Sequence, residues 1–294
     1  MAELKLEGVF VPNITPFKDG EVDEPSLRKL VDHLVEGGAS GLVPCGTTGE
    51  SATLSHDEHI GVIRVVVEQT GGRVPIIAGI GTNDTRETVN LLRRAEELDI
   101  QGYLVVCPYY NRPNQEGIIQ HFRAVAEVTD RPILIYNIPA RTGRNIEVHT
   151  VRDLARIPNI VGIKDASGEI DQAMNIIART KNFSVLSGED HLLFLNCCLG
   201  GQGGIMASAH VLPGEFLALV QAAARGDLAE ARRLHYHLLP LVRVMFKEPI
   251  PAPAKAAMKL MGIISSDELR LPLLSVSAAC REDIAGVLHG LKLL

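Results

Sequence analysis

The sequence predicts a (β/α)8 barrel with a C-terminal helical appendage. Three observations carry this. Eight short apolar runs recur between residues 8 and 207, of the kind that fills a parallel sheet covered on both faces. Segments with a helical repeat of apolar residues separate them, joined by short loops. No Gly-x-Gly-x-x-Gly opens the first helix, as a doubly wound nucleotide-binding sheet would require, and eight is the strand number at which this barrel closes. The barrel is predicted over residues 1–226 and the helical region over residues 227–294.

Each element has its own signal. The first run is 8–14, and its helix is marked by Leu27, Leu30, Val31 and Leu34. Asp23-Glu-Pro-Ser26 opens that helix with an acceptor side chain and a first-turn proline. The second run is 41–44, followed by Ser55-His-Asp-Glu58 and a stripe of Ile60, Ile63 and Val67. Run 74–79 precedes Asn83-Asp-Thr85, with Val89, Leu92 and Ala95 behind it. Run 102–106 is followed by Ile118, Phe122, Val125 and Ala126, and run 132–136 by a shorter segment with Val151 and Leu154. Run 160–164 leads to Ile170, Ala173, Ile176 and Ile177, run 183–186 to residues 192–199, and run 203–207 to residues 216–223. After Gly226 the alternation stops. Residues 227–246 read as one long helix, Lys247-Glu-Pro-Ile-Pro-Ala-Pro253 breaks it, and two or three further helices are expected up to Leu294.

Composition narrows the function. The 294-residue chain is 46% hydrophobic with a net charge of −6, a balance that argues against nucleic acid as a main partner. No apolar run reaches the roughly eighteen residues of a membrane span, and residues 1–7 alternate charged and apolar side chains without a signal-peptide core. Five cysteines with no Cys-x-x-Cys suit reduced thiols and a cytoplasmic protein. Among ten histidines only His56/His59 and His235/His237 are close in sequence, and neither pair has a third-ligand pattern, so no metal is expected.

In such a barrel the active site lies at the C-terminal ends of the strands. There the chain offers Asn13-Ile-Thr-Pro-Phe17, Gly46-Thr-Thr-Gly-Glu50, Cys107-Pro-Tyr-Tyr-Asn111, Tyr136-Asn-Ile-Pro-Ala-Arg-Thr-Gly143, Lys164, Ser187-Gly-Glu-Asp190 and Ile205. Of nine lysines, Lys164 alone ends an apolar strand. One reading is a lysine that snorkels or pairs with Asp165. The other is a Schiff-base nucleophile, which requires a neutral amine. At its ordinary pKa a lysine is only ~0.1% neutral near pH 7.5, so a depression of ~3 units is needed to make about half of it reactive. Hydroxyls dominate the other strand ends: Thr47, Thr48, Tyr110 and Tyr136. Phenols and hydroxyls that carry protons beside a lysine imine are the chemistry of enamine formation from a 2-oxo acid. The Gly46-Thr-Thr-Gly-Glu50 segment lacks the Gly-x4-Gly-Lys-Ser/Thr pattern of a nucleotide loop. It reads either as a tight glycine turn or as a backbone and hydroxyl site for a small carboxylate. Arg141 reads either as a surface ion pair or as a planar donor for a second carboxylate.

Five of these segments, in order and at matching intervals, resemble the dihydrodipicolinate synthase / N-acetylneuraminate lyase family. They are Asn13-Ile-Thr-Pro-Phe17, Gly46-Thr-Thr-Gly-Glu50, Tyr109-Tyr-Asn111, Tyr136-Asn-Ile-Pro139 and Gly162-Ile-Lys-Asp-Ala-Ser-Gly168. The resemblance spans essentially the whole chain. It implies a class I aldolase-like barrel, a homotetramer, and a Schiff base with pyruvate on Lys164 without any cofactor. It further implies Tyr136 as proton donor and acceptor, with Thr48 and Tyr110 completing a relay and Tyr110 crossing in from a neighbouring subunit. Thr47 and Thr48 hold the pyruvate carboxylate, and Ile205 adds a backbone group. Arg141 holds the carboxylate of the second substrate.

Within the family, Thr47-Thr48, Arg141-Thr142 and Leu269-Arg-Leu-Pro272 resemble the branch that condenses pyruvate with L-aspartate 4-semialdehyde to 4-hydroxy-tetrahydrodipicolinate, in lysine and diaminopimelate biosynthesis. Gly204-Ile-Met206 differs from the larger or more polar neighbours of many such synthases. The alternative is a sugar-acid aldolase of the 2-keto-3-deoxygluconate or N-acetylneuraminate type. A catalytically silent sensor of 2-oxo acids is a third reading, and the joint presence of Lys164, Tyr136, Thr48 and Tyr110 speaks against it. The resemblance also implies an inhibitory L-lysine site formed by Ser51, Ala52, His56, His59, Asn83, Glu87 and Tyr109. Any one of these residues also reads as part of a solvated helix face.

Overall fold

The computed structural model describes residues 4–294; residues 1–3, the start of the alternation at 1–7, lie outside the described residues. The apolar runs form β1 (Gly8–Val11), β2 (Gly41–Leu42), β3 (Ile77–Gly79), β4 (Gly102–Val106), β5 (Ile133–Asn137), β6 (Ile160–Asp165), β7 (Ser184–Ser187) and β8 (Gly203–Ile205). They pair in parallel in the order β2-β1-β8-β7-β6-β5-β4-β3. A lone parallel bridge from Leu42 to Ile76 closes the ring. Backbone bonds from Leu42 N to Pro75 O (3.0 Å) and from Gly79 N to Pro44 O (2.9 Å) flank it.

The first two strands are shorter than the apolar runs that predict them. Pro12 and Pro44 follow them closely, and each removes a backbone donor that a longer ladder would need. The period of two then sorts the side chains. Phe10, Ile77, Leu104, Leu134, Leu186 and Ile205 fill the barrel interior. Val9, Val11, Leu42, Tyr103, Val105, Ile135 and Ile163 face the helices. Gly41 makes room for this inner layer: a Cβ there would lie 2.4 Å from the Phe10 ring.

The surrounding helices are α1 (Glu24–Glu36), α2 (His56–Thr70), α3 (Thr85–Ala95), α4 (Gln115–Ala126), α5 (Val148–Leu154), α6 (Ile170–Arg179), α7 (Leu193–Cys198) and α8 (Pro213–Ala224). The expected start signals are in place. Asp23 accepts from Ser26 N, Ser55 and Glu58 form a reciprocal capping box, and Asp84 accepts from Arg86 N. The stripe of α1 is fully buried at Leu27, Leu30, Val31 and Leu34, and each such leucine contributes about 1.5–3 kcal/mol relative to exposure.

Beyond the barrel run α9 (Leu228–Met245), α10 (Ala252–Leu260) and α11 (Ala278–Gly290), so two helices follow the long one. Leu234, Leu238, Leu241, Met258, Ile284 and Leu288 join the same buried cluster as the barrel helices. Residues 246–250, between α9 and α10, line the cavity at the barrel mouth. Among the described residues no helix is long and apolar enough to cross a membrane.

Candidate active site

Lys164 lies near the end of β6 and Tyr136 near the end of β5, and the two are register partners. The pleat aims both side chains inward, with Lys164 Nζ 4.3 Å from the centroid of the Tyr136 ring. They are only 6% and 5% exposed, so water has little access to the amine. Lys164 forms no ion pair with Asp165. The next residue on a strand points the other way, and Asp165 is committed elsewhere. Its carboxylate accepts from Asn137 Nδ2 (2.9 Å), Ser167 Oγ (2.9 Å) and Gln172 Nε2 (3.3 Å). Burial pushes the Asp165 carboxyl up and these donors pull it back. Asn137 also donates to Asn145 Oδ1 (2.8 Å) and accepts from Ile146 N (3.0 Å). This network fixes the ends of β5 and β6, and with them the Lys164–Tyr136 spacing.

The segment after β2 takes the first of the two forms the sequence left open. It is a tight turn, with Gly49 N donating to Gly46 O and Glu50 N to Thr47 O, both at 3.1 Å. It also brings Thr47 and Thr48 to the wall of the cavity that holds Lys164 and Tyr136. Thr15 Oγ1 anchors the turn by donating to Gly49 O at 2.7 Å. Arg141 sits on the helical turn Pro139–Thr142 after β5, exposed, on the wall of the same cavity. It has no ion-pair partner among the described residues, so the surface salt bridge is not formed. Ile205, 1% exposed, ends β8 against the same space. The cavity holds about 530 Å³, ample for a three-carbon acid beside a four-carbon one.

Two acidic residues and a distant segment also line it: Glu189, Asp190 and residues 246–250. Asp190 is buried and accepts from Ser208 N at 2.6 Å. Burial raises its carboxyl pKa, against the pull of the Ser208 hydrogen bonds. Burial likewise raises Glu189, while His191 and Lys164 pull it down. The sequence marked Ser187-Gly-Glu-Asp190 as a strand end without a role. Its signal was position alone.

Tyr110 stands apart from the cavity. Its side chain is 89% exposed and its backbone is left-handed at φ +72°. Its neighbour Tyr109 is 36% exposed. The other proposed effector residues gather between the starts of α2 and α3. Ser51 and Ala52 lie on the 3-10 turn Ser51–Thr53 before α2. His56 Nε2 is 3.4 Å from Glu87 Oε2, and Asn111 Nδ2 donates to Asn83 O at 2.8 Å, drawing the tyrosine loop toward them. His59 differs from the rest. It is buried, its Nε2 is bonded to Gly79 O at 2.7 Å, and burial lowers its pKa.

A (β/α)8 barrel that aims a buried lysine and a tyrosine into one cavity, beside threonine hydroxyls, has the build of a class I aldolase. Residues 5–290 match the dihydrodipicolinate synthetase family, and the chain belongs to that family. It is 48% identical over 290 residues to the 4-hydroxy-tetrahydrodipicolinate synthase of Syntrophus aciditrophicus (strain SB), covering 98% of this chain and 99% of that one. Among solved structures, dihydrodipicolinate synthase from Aquifex aeolicus superposes with a TM-score of 0.96 at 42% identity, over 98% of this chain and 99% of that chain. The enzyme from Cyanidioschyzon merolae, solved with lysine bound, gives 0.95 at 37% identity, over 98% and 99%.

Proposed function

We propose that the chain has 4-hydroxy-tetrahydrodipicolinate synthase activity, condensing pyruvate with L-aspartate 4-semialdehyde, with Lys164 as the imine-forming residue. Near-complete coverage at 48% identity to a synthase supports the reaction. The observation that carries the residue assignment is the register pairing of Tyr136 with Lys164, both buried and both lining the cavity at the barrel mouth.

The amine of Lys164 adds to the keto carbon of pyruvate, and loss of water gives the imine. Removal of a methyl proton gives the enamine. Its carbon attacks the semialdehyde carbonyl, and the new alkoxide takes up a proton. The amino group of the condensed substrate then attacks the imine carbon, closes the ring and releases Lys164 as the free amine. Tyr136, 4.3 Å from Nζ at its ring centroid, is the group assigned to these proton transfers. Thr47 and Thr48 are assigned the pyruvate carboxylate, with a backbone group of Ile205 beside it. Arg141 is assigned the semialdehyde carboxylate, a match for its planar fork. Tyr110, exposed in a single chain, is assigned to the relay of a neighbouring subunit in a homotetramer, with Thr48 between it and Tyr136. The proposed division is a catalytic barrel at 1–226, described from residue 4 onward, and a helical region at 227–294 that contributes to the mouth. The cytoplasm, where pyruvate and reduced thiols coexist, is the proposed location. Free L-lysine is the proposed inhibitor, bound by Ser51, Ala52, His56, Asn83, Glu87 and Tyr109, with His59 acting behind them from its buried position.

The test is borohydride reduction with pyruvate, followed by mass measurement, then turnover with L-aspartate 4-semialdehyde and with a sugar acid offered separately. The parent should gain reduced pyruvate on Lys164 and turn over the semialdehyde. Lys164→Ala should lose both trapping and turnover while keeping its fold. Trapping in Lys164→Ala would move the nucleophile, and turnover of the sugar acid alone would move the chain to the aldolase branch.

A further inference from the structure

We infer that the buried ion pair between Glu50 and Lys255 is a positioning device for the pyruvate half of the reaction, holding the turn that presents Thr47 and Thr48. The inference rests on the assignment of those threonines above.

Glu50 ends the turn, and its side chain is 1% exposed; that of Lys255, on α10, is 0% exposed. Lys255 Nζ lies 2.5 Å from Glu50 Oε1. It also donates to Glu268 O at 2.7 Å and sits 4.2 Å from the centroid of the Phe17 ring. The second Glu50 oxygen, Oε2, accepts from Arg270 N at 3.2 Å. The Arg270 guanidinium lies 4.4 Å from the same Phe17 ring and donates to Thr53 O at 2.9 Å. The Leu269-Arg-Leu-Pro272 motif is thereby tied to the turn.

A buried ion pair is a poor source of stability but a strong conformational constraint, because either charge left alone is costly. Glu50 shows such a constraint. Its backbone is left-handed at φ +53°, a region that residues other than glycine rarely adopt. Its amide bonds back to Thr47 O at 3.1 Å, and its carbonyl accepts from Thr53 N at 3.0 Å. Moving the carboxylate out of the pair moves the residue that closes the turn. For the loss of Lys255 the electrostatics work in the same direction, and for the loss of Glu50 the displaced turn has to outweigh them. A turn that receives a carboxylate carries a carboxylate of its own, and Lys255 neutralises it. Without Lys255 the buried charge repels the substrate anion.

Steady-state kinetics on the full chain, with both substrates varied, tests this alongside thermal melting. Glu50→Gln should raise the pyruvate KM about tenfold, the usual scale for one lost charge-assisted contact. The semialdehyde KM should change by less than about threefold, and kcat at saturating pyruvate should fall by less than the pyruvate KM rises, since Thr48 of the same turn is also assigned to the proton relay. Lys255→Met should raise the pyruvate KM further, and Glu50→Gln/Lys255→Met should recover part of that loss. If Lys255→Met does not fold, Glu50→Asp, which keeps the charge but shortens its reach, should still raise the pyruvate KM. Thr47→Val is the control. A folded Glu50→Gln or Glu50→Asp with the parental pyruvate KM, while Thr47→Val raises it, overturns the inference alone. An unchanged pyruvate KM in Thr47→Val overturns the carboxylate assignment, and the inference falls with it.

Discussion

Acidification should loosen the mouth of the barrel through one histidine. His210 is fully buried on the 3-10 turn that follows β8. Its Nε2 accepts from Ile14 N at 3.1 Å, so its proton sits on Nδ1, which donates to Ala207 O at 2.7 Å. Protonating Nε2 would set a second N–H against the Ile14 amide. Burial, with His33 nearby, pushes the ring from its ordinary 6.5 down to about 4. The gap corresponds to roughly 3 kcal/mol. Between those two pH values the unfolded chain binds a proton that the folded chain refuses, so stability rises with pH there. This contribution is flat above about pH 6.5, and roughly 1–1.5 kcal/mol of it is lost by pH 5.5. Ala207 lines the cavity, and Ile14 directly precedes the Thr15 that anchors the threonine turn, so the loss falls on the site itself. Urea unfolding at pH 7.5, 6.5 and 5.5, in the parent and in His210→Gln, measures it. The variant should start less stable and lose less on acidification. Comparing the two slopes removes the shared carboxylate titrations and that of His121, also pushed down to about 4. Parallel slopes would refute the argument.

Tyr136→Phe should cut turnover by roughly 10²–10⁴ and weaken pyruvate binding less, as a positioned general acid/base would; a near-parental rate would move the proton carrier elsewhere. Arg141→Ala should raise the KM for L-aspartate 4-semialdehyde far more than that for pyruvate, by about 1.5–3 kcal/mol of lost charge-assisted bonding; equal effects on both would make Arg141 structural. L-lysine should inhibit the parent, and Glu87→Thr or His56→Ala should relieve it, because the 3.4 Å His56–Glu87 contact joins the two helices that carry the site. A rate assay with millimolar lysine decides it, and an indifferent parent would remove the site.

The barrel was legible because its rules are local. The strand Gly102–Val106 coincides with its apolar run, and the four stripe positions of α1 are all buried. The candidate nucleophile was legible for the same reason: one lysine ends one strand. Registers are not local. Nothing in the residues announces that Tyr136 lies opposite Lys164 rather than a step away, because register is set by how two strands pack together. That residues 246–250 line the mouth was hidden, because only the docked C-terminal helices bring them there, whereas Asp190 was visible as part of a strand end. The pair of Glu50 with Lys255 was hidden more deeply. A buried Lys reads as a surface residue in sequence until its partner is known. The exposure of Tyr110 is carried by no spacing of apolar residues.

The ring closes differently from the way its other strands join. Between β2 and β3 there is a lone bridge at Leu42 and Ile76, where β5 and β6 share a five-pair ladder. Cooperative units of a protein open where cross-strand bonding is thinnest, so this seam is where amide protons near the mouth would exchange with solvent first. The threonine turn hangs directly from it. The last seventy or so residues of the chain reach back to the same place, through Lys255 and Arg270. The barrel thus carries the threonine turn on its thinnest join, and side chains from the far end of the chain grip the turn that hangs from it.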